Sequence, residues 1–246
     1  MKTFPREPGI TTNGAQWTPM GLVLLTVWLL VACQSPPPNS LATHNSRNWE
    51  KDIAAFEARD RTNPPPRGGI VFVGSSSIRM WQSLAQDFPG YPVINRGFGG
   101  SQLADSFHYA ERIIIPCAPR QVIIYAGGND LNAGKAPEVV YGDLVALLQK
   151  LQRHLPRARL AYISVAPNPA RWGQIEKIRQ FNAMAEKYCR THGHTFINVF
   201  PLMLGPDGLP KPDIYLADRL HMNEKGYAIW REAVAPHLLR GPMSEQ

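Results

Sequence analysis

The chain has 246 residues, 44% hydrophobic and 18% charged, the composition of one ordinary globular domain with trimmings. Its 26 basic and 19 acidic residues leave a formal charge of +7, but they are dispersed, with no Lys/Arg run of the kind that forms a nucleic-acid arm. Nucleic acid is therefore not an expected partner.

After Lys2 and Arg6 comes "MGLVLLTVWLLVA", residues 20 to 32, an apolar run of 13 residues. It is too short to span a bilayer comfortably and has the length of a signal-peptide core. It ends in "LVAC", Leu30 to Cys33, which resembles the lipobox of bacterial lipoproteins. That resemblance implies residues 1 to 32 as a signal peptide, cleavage before Cys33, and lipid on the Cys33 thiol. Acyl chains on one cysteine anchor a protein through about 0.8 kcal/mol per buried CH₂. Gln34 rather than aspartate follows, which in such lipoproteins points to the outer membrane, here facing the periplasm of a bacterial envelope. Residues 33 to 48, with "SPPPNS", read as the lipidated cysteine and a flexible tether. Residues 49 to 246 are then the domain.

In "WEKDIAAFEARD", Trp49, Ile53 and Phe56 fall at i, i+4 and i+7, which predicts an amphipathic lead-in helix. Five short apolar runs bounded by turn residues follow: "IVFV" (70–73), "PVIN" (92–95), "QVIIYA" (121–126), "LAYISVA" (160–166) and "TFINVF" (195–200). Helical patterns separate them, the clearest at 137–155 with Val140, Leu144, Leu147, Leu148, Leu151 and Leu155 on one face. Such alternation predicts an α/β fold whose parallel sheet is covered on both sides. Export would permit a Cys117–Cys189 disulfide, but Cys189 also continues the apolar spacing of Ile178, Phe181, Ala185 and Tyr188, which assigns it to the core.

Ligand sites in open α/β sheets lie at the C-terminal strand ends. There this chain places "GSSSI", "NRGFGGSQ" and "AGGND", and just before its last helix "LADRLHMNEKGY". A serine at a strand-to-helix turn has an exposed hydroxyl. Asp218 and His221 are three residues apart, so one helical turn would set the carboxylate on one ring nitrogen and leave the other for the serine. Gly100 can offer an N–H without a Cβ in the way, and Asn129 a side-chain amide, to an oxyanion.

These residues resemble the SGNH, or GDSL-type, serine hydrolases. The four signature blocks map in chain order onto Ser76, Gly100, Asn129 and His221, within residues 65 to 240, and look most similar to the branch of platelet-activating-factor acetylhydrolase. The resemblance implies a flavodoxin-like three-layer α/β/α sandwich with a five-stranded parallel sheet, no metal or cofactor, and hydrolysis of ester or thioester bonds. Ser76, Asp218 and His221 would be catalytic, with the oxyanion held by Ser76, Gly100 and Asn129. Ser75 stands where the family name has aspartate. Gly128 stands where larger polar residues are common in this branch, which would open the rim.

Ser75 and Ser77 read as N-cap and turn residues. Gln102 breaks a dinucleotide fingerprint, no Walker motif is present, and His192 and His194 lack a third ligand nearby in sequence. Arg79, Arg96 and Arg171 fit either the substrate rim or plain surface charge. The expected function is an envelope esterase acting on short-chain O-acyl groups of small molecules or glycans. The alternative is a catalytically idle lipoprotein that binds glycans or proteins at the same rim.

Overall fold

The computed structural model describes residues 1–3, 9 and 36–240; the apolar leader, Cys33 and its neighbours lie outside them. Residues from Pro36 onward form one compact unit. Among the described residues no helix is long and apolar enough to cross a membrane.

Five parallel strands form the sheet: β1 (Ile70–Gly74), β2 (Val93–Gly97), β3 (Gln121–Tyr125), β4 (Arg159–Ile163) and β5 (Thr195–Ile197), in the order β2-β1-β3-β4-β5. Among the described residues eight α-helices accompany them: α1 (Glu50–Thr62), α2 (Ser76–Arg79), α3 (Leu84–Asp87), α4 (Leu103–Ile113), α5 (Gly128–Asn132), α6 (Pro137–His154), α7 (Ile175–Thr191) and α8 (Glu224–Val234). This is the flavodoxin-like α/β/α sandwich that the strand pattern and the family blocks implied.

The strands are buried on both faces, and alternate residues supply two separate cores. Val71, Val73, Val122, Ile124, Leu160 and Tyr162 pack against α1, α4, α6 and α7. Ile70, Phe72, Ile123, Tyr125, Ala161 and Ile163 pack against α2, α3 and α8. The second core is rich in aromatics: Trp81 lies within 6 Å of Phe72, Phe88, Tyr227 and Trp230, in mostly edge-on arrangements. Near-continuous β-branched runs are what a strand with no solvent face requires.

Two strands stop earlier than their apolar runs. Beyond Ile163, the Ser164 hydroxyl accepts hydrogen bonds from Val199 N (3.0 Å) and Phe200 N (3.2 Å). The Asn182 amide of α7 then pairs with both the N–H and the C=O of Val165, each at 2.9 Å. Side chains thus take over the backbone groups that a longer ladder would have satisfied.

Residues 36–48, expected to be part of a flexible tether, are instead packed on the domain. Asp143 of α6, fully buried, accepts from Ser40 N and Ser40 Oγ, both at 2.7 Å. Lys135 joins Asp143 to the equally buried Asp130 at 3.0 and 2.9 Å. Burial opposes the Lys135 charge, but the two carboxylates prevail and push its pKa up. His44 Nε2 meets Asp105 at 2.7 Å, and the Tyr109 hydroxyl donates to Ser46 O at 2.7 Å. The Pro38 carbonyl fits against α6 because residue 142 is glycine; a Cβ there would lie 1.9 Å from that oxygen.

Cys117 and Cys189 are free, buried thiols, so the disulfide that export would permit is not formed. Burial pushes the Cys189 thiol up to about 12, as its place on the inner face of α7 requires.

Candidate active site

The strand order 2-1-3 places a switch point between β1 and β3, where the chain leaves the sheet in opposite directions and a crevice opens above the strand ends. Gly74 ends β1 with φ 148°; a Cβ at that position would fall 1.8 Å from the Tyr125 carbonyl oxygen of β3. Only glycine allows this approach. Ser75 then takes the N-cap position of α2, its carbonyl accepting from Ile78 N and Arg79 N, and it is buried. Ser76 opens the helix and faces the crevice. Ser77 contributes its carbonyl to the Tyr227 hydroxyl at 2.9 Å, which ties α2 to α8.

His221 Nε2 lies 2.9 Å from Ser76 Oγ, and His221 Nδ1 lies 2.6 Å from Asp218 Oδ2. The expected helical turn between Asp218 and His221 is absent. The segment is a tight loop closed by an antiparallel bridge between Tyr215 and Met222, with Leu216 N donating to His221 O at 2.8 Å. Asp218 Oδ1 accepts from Leu220 N and His221 N at 3.0 and 2.9 Å. The carboxylate therefore organises the loop with one oxygen and holds the imidazole with the other. The His221 side chain, followed by these backbone N–H groups, pulls the Asp218 pKa down to about 2.

Three donors border Ser76. The N–H groups of Ser76 and Gly100 have no backbone acceptor among the described residues. Gly100 sits at φ 79°, and a Cβ there would come within 3.0 Å of the Trp49 ring. The Asn129 side chain, on α5 just past β3, donates from Nδ2 to Ser101 O at 2.9 Å and accepts at Oδ1 from Arg171 Nη1 at 3.0 Å. This pairing fixes which end of the amide is the donor, and leaves the second Nδ2 hydrogen for a ligand.

Two spaces adjoin Ser76 and His221. One is a small cavity of about 30 Å³ walled in part by Tyr125, Val165, Met203 and Trp230. The other is an open cleft of about 330 Å³ bordered by Asp52, Arg79, Gly99 and Leu220. Asn129 and Arg171 border both. The rim at Gly128 is not vacant: a Cβ there would stand 3.5 Å from Val165 and 3.7 Å from Arg171 Nη1. The arginine guanidinium fills the space that a larger residue would take.

The three undecided arginines therefore divide. Arg79 and Arg171 border the cleft, whereas Arg96 is buried beneath α1, bonded to Asp60 at 2.6 Å. His192 stacks on Tyr188 at 3.9 Å between ring centroids, remote from Ser76 in the fold. The helical spacing of Trp49 reads as a core position and hides its second contact, over Gly100. No local pattern marks the Arg171–Asn129 bond, which joins residues 42 positions apart.

At its switch point the fold sets a serine, a histidine and an aspartate in one bonded row, an arrangement suited to acyl transfer. A family model described as GDSL-like Lipase/Acylhydrolase family matches residues 69–229. The chain belongs to that family and is a serine hydrolase of the SGNH/GDSL type. It is 28% identical over 185 residues to the platelet-activating factor acetylhydrolase IB subunit alpha1 of Homo sapiens, covering 70% of this chain and 75% of the relative. A GDSL-like lipase from Bacteroides thetaiotaomicron superposes with TM-score 0.65 at 21% identity, covering 78% of this chain and 96% of that one. An acetyl-xylooligosaccharide esterase from Geobacillus superposes with TM-score 0.56 at 14% identity, covering 74% and 97%.

Proposed function

We propose that the protein hydrolyses short-chain O-acyl esters, with Ser76 as nucleophile, His221 as general base and acid, and Asp218 as the group that orients the imidazole. The observation that carries this reading is the unbroken chain from Asp218 Oδ2 to His221 Nδ1 (2.6 Å) and from His221 Nε2 to Ser76 Oγ (2.9 Å). Ser76 Oγ attacks the acyl carbonyl while its proton passes to Nε2. The oxyanion accepts hydrogen bonds from Ser76 N, Gly100 N and Asn129 Nδ2. The proton then goes to the departing alcohol, and water releases the acyl group by the same steps in reverse.

The small cavity supports an acetyl-sized acyl group. A space of about 30 Å³ takes a methyl in place of one or two waters and stops at Trp230 and Met203, both fully buried. The names of two relatives, an acetylhydrolase and an acetyl-xylooligosaccharide esterase, support the same chain length, and the first supports placement in the platelet-activating-factor acetylhydrolase branch. The open cleft is the place for the alcohol.

The location follows from "LVAC". Residues 1–32 are the signal peptide and Cys33 carries the lipid, so the domain works at the bacterial envelope, on the periplasmic side of the outer membrane.

A chain-length series on the full-length protein tests the reading. Acetyl esters should exceed butyryl esters in kcat/KM, and long-chain esters should be inert. Equal turnover of long chains would refute the acetyl-sized pocket, and no turnover of any ester or thioester would favour the ligand-binding alternative. Cys33→Ser should abolish incorporation of labelled palmitate; persistent labelling would refute the anchor.

A further inference from the structure

The cleft that receives the alcohol carries unpaired positive charge. Arg171 is half-buried, and the one hydrogen-bond partner of its side chain among the described residues is the neutral Asn129 amide. Its remaining N–H groups have no protein acceptor there. Arg79 makes no side-chain hydrogen bond or ion pair among the described residues; its Nε lies 2.6 Å from where a Cβ of Gly99 would stand, so the absence of that side chain is what gives it room.

Most other half-buried or buried cations among the described residues meet a carboxylate, and Arg120 and Lys211 instead meet backbone carbonyls. Arg96 meets Asp60, Arg112 meets Glu50 and Glu57, Lys135 meets Asp130 and Asp143, and Lys150 meets Glu111, at 2.6 to 3.0 Å. Among the described residues the one acid bordering the cleft, Asp52, is exposed and bonded to neither arginine. Burial also pushes the Arg171 pKa below its ordinary value, with no carboxylate to offset the loss of solvent. A partly desolvated guanidinium with free donors in a fork is complementary to a planar or tetrahedral oxyacid.

Resting on the esterase reading above, we propose that Arg171, assisted by Arg79, recognises an anionic group, a carboxylate or a phosphate, on the alcohol half of the ester. The enzyme then selects acylated acids over acylated neutral alcohols. Arg171 thereby joins substrate charge to catalysis, because the same guanidinium that meets the anion holds the Asn129 amide in donor orientation. Gly128 belongs to the device, since its missing side chain admits the guanidinium to the rim.

The test compares kcat/KM of the full-length protein on three monoacetyl esters: of methyl glucoside, of methyl glucuronoside and of glycerol phosphate. A charge-assisted contact gives about tenfold or more preference for one charged ester over the neutral one, declining as salt is raised. Arg171→Gln should bring the ratio near one, Arg171→Lys should keep part of it, and Arg79→Gln should reduce it less. The charged ester preferred tells carboxylate from phosphate. Equal turnover of neutral and charged esters by the wild type overturns the proposal. So does an Arg171→Gln protein that slows all three equally, since Arg171 would then only prop Asn129. If no ester is turned over, the esterase reading fails on its own, and calorimetry with methyl glucuronoside and glycerol phosphate on Ser76→Ala protein decides. Binding that disappears on adding Arg171→Gln upholds recognition of the anion, and no binding of either compound overturns it.

Discussion

The molecule contains two clusters built from serine, histidine and aspartate, and they differ in what surrounds them. At the crevice, the side chains of His221 and Asp218 are 23% and 47% exposed, and the free imidazole nitrogen faces Ser76 beside an open cleft. At the start of α4, His44 and Asp105 are 16% and 1% exposed at nearly the same separation, 2.7 Å against 2.6 Å. There Ser40 is spent on Asp143, and no hydroxyl is bonded to His44. The same residue types hold a chain segment in one place and, in the proposed reading, align a nucleophile in the other. What separates them is access for an ester and donors for an oxyanion.

The largest effect should come from the nucleophile. Ser76→Ala should lower kcat on acetyl esters by about 10⁴-fold or more, while Ser75→Ala and Ser77→Ala should stay within about tenfold of wild type in the same assay. Asp218→Asn should cost about 10² to 10⁴ in kcat, since the imidazole loses its anchor and its favoured tautomer. The matching change in the other cluster, Asp105→Asn in α4, should leave kcat within about threefold and lower the melting temperature. Equal losses in the two would erase the contrast.

Asn129→Ala removes one proposed oxyanion donor and should reduce kcat by about 10² to 10³, with KM little changed. Asp143→Ala should lower unfolding free energy by about 3 kcal/mol or more, because it leaves Lys135 and Ser40 short of a buried partner. Initial rates of that variant at low temperature should stay near wild type. An activity loss as large as that of Asn129→Ala would show that the strap under α6 supports the site directly.

The smallest effect concerns acid. The Asp218 pKa is depressed from 3.8 to about 2, so its carboxylate favours the folded loop above pH 3.8, and that contribution disappears as pH falls through about 2. The chemical shift of its carboxyl carbon should therefore titrate near pH 2. A midpoint near 4 would mean the bond to His221 is weaker than its geometry.

The strands and the rim residues were legible because their signals are local. A β-branched run ends on glycine, and each family block occupies one turn. Strand ends at Ile163 and Ile197 were not, because the Ser164 hydroxyl and the Asn182 amide replace the ladder with contacts made from far along the chain. The Pro-rich segment at 36–48 reads as an extended tether, whereas a turn at residues 41–43 and a helical turn from Arg47 fold it back; its docking depends on Asp143, which in the sequence sits among helix residues with nothing to mark it as a buried receptor. The relation of Asp218 to His221 was right in pairing and wrong in backbone, since a three-residue spacing serves a helix and an aspartate-capped loop equally well.

If Ser76 alone among the serines is activated, a fluorophosphonate should find it. The direct measurement is labelling of the full-length protein with that reagent, followed by mass mapping of the modified peptide. One adduct is expected, on Ser76, absent in Ser76→Ala and formed much more slowly in Asp218→Asn. An adduct on Ser75, Ser77 or any serine outside the crevice, retained in Ser76→Ala, would contradict that expectation.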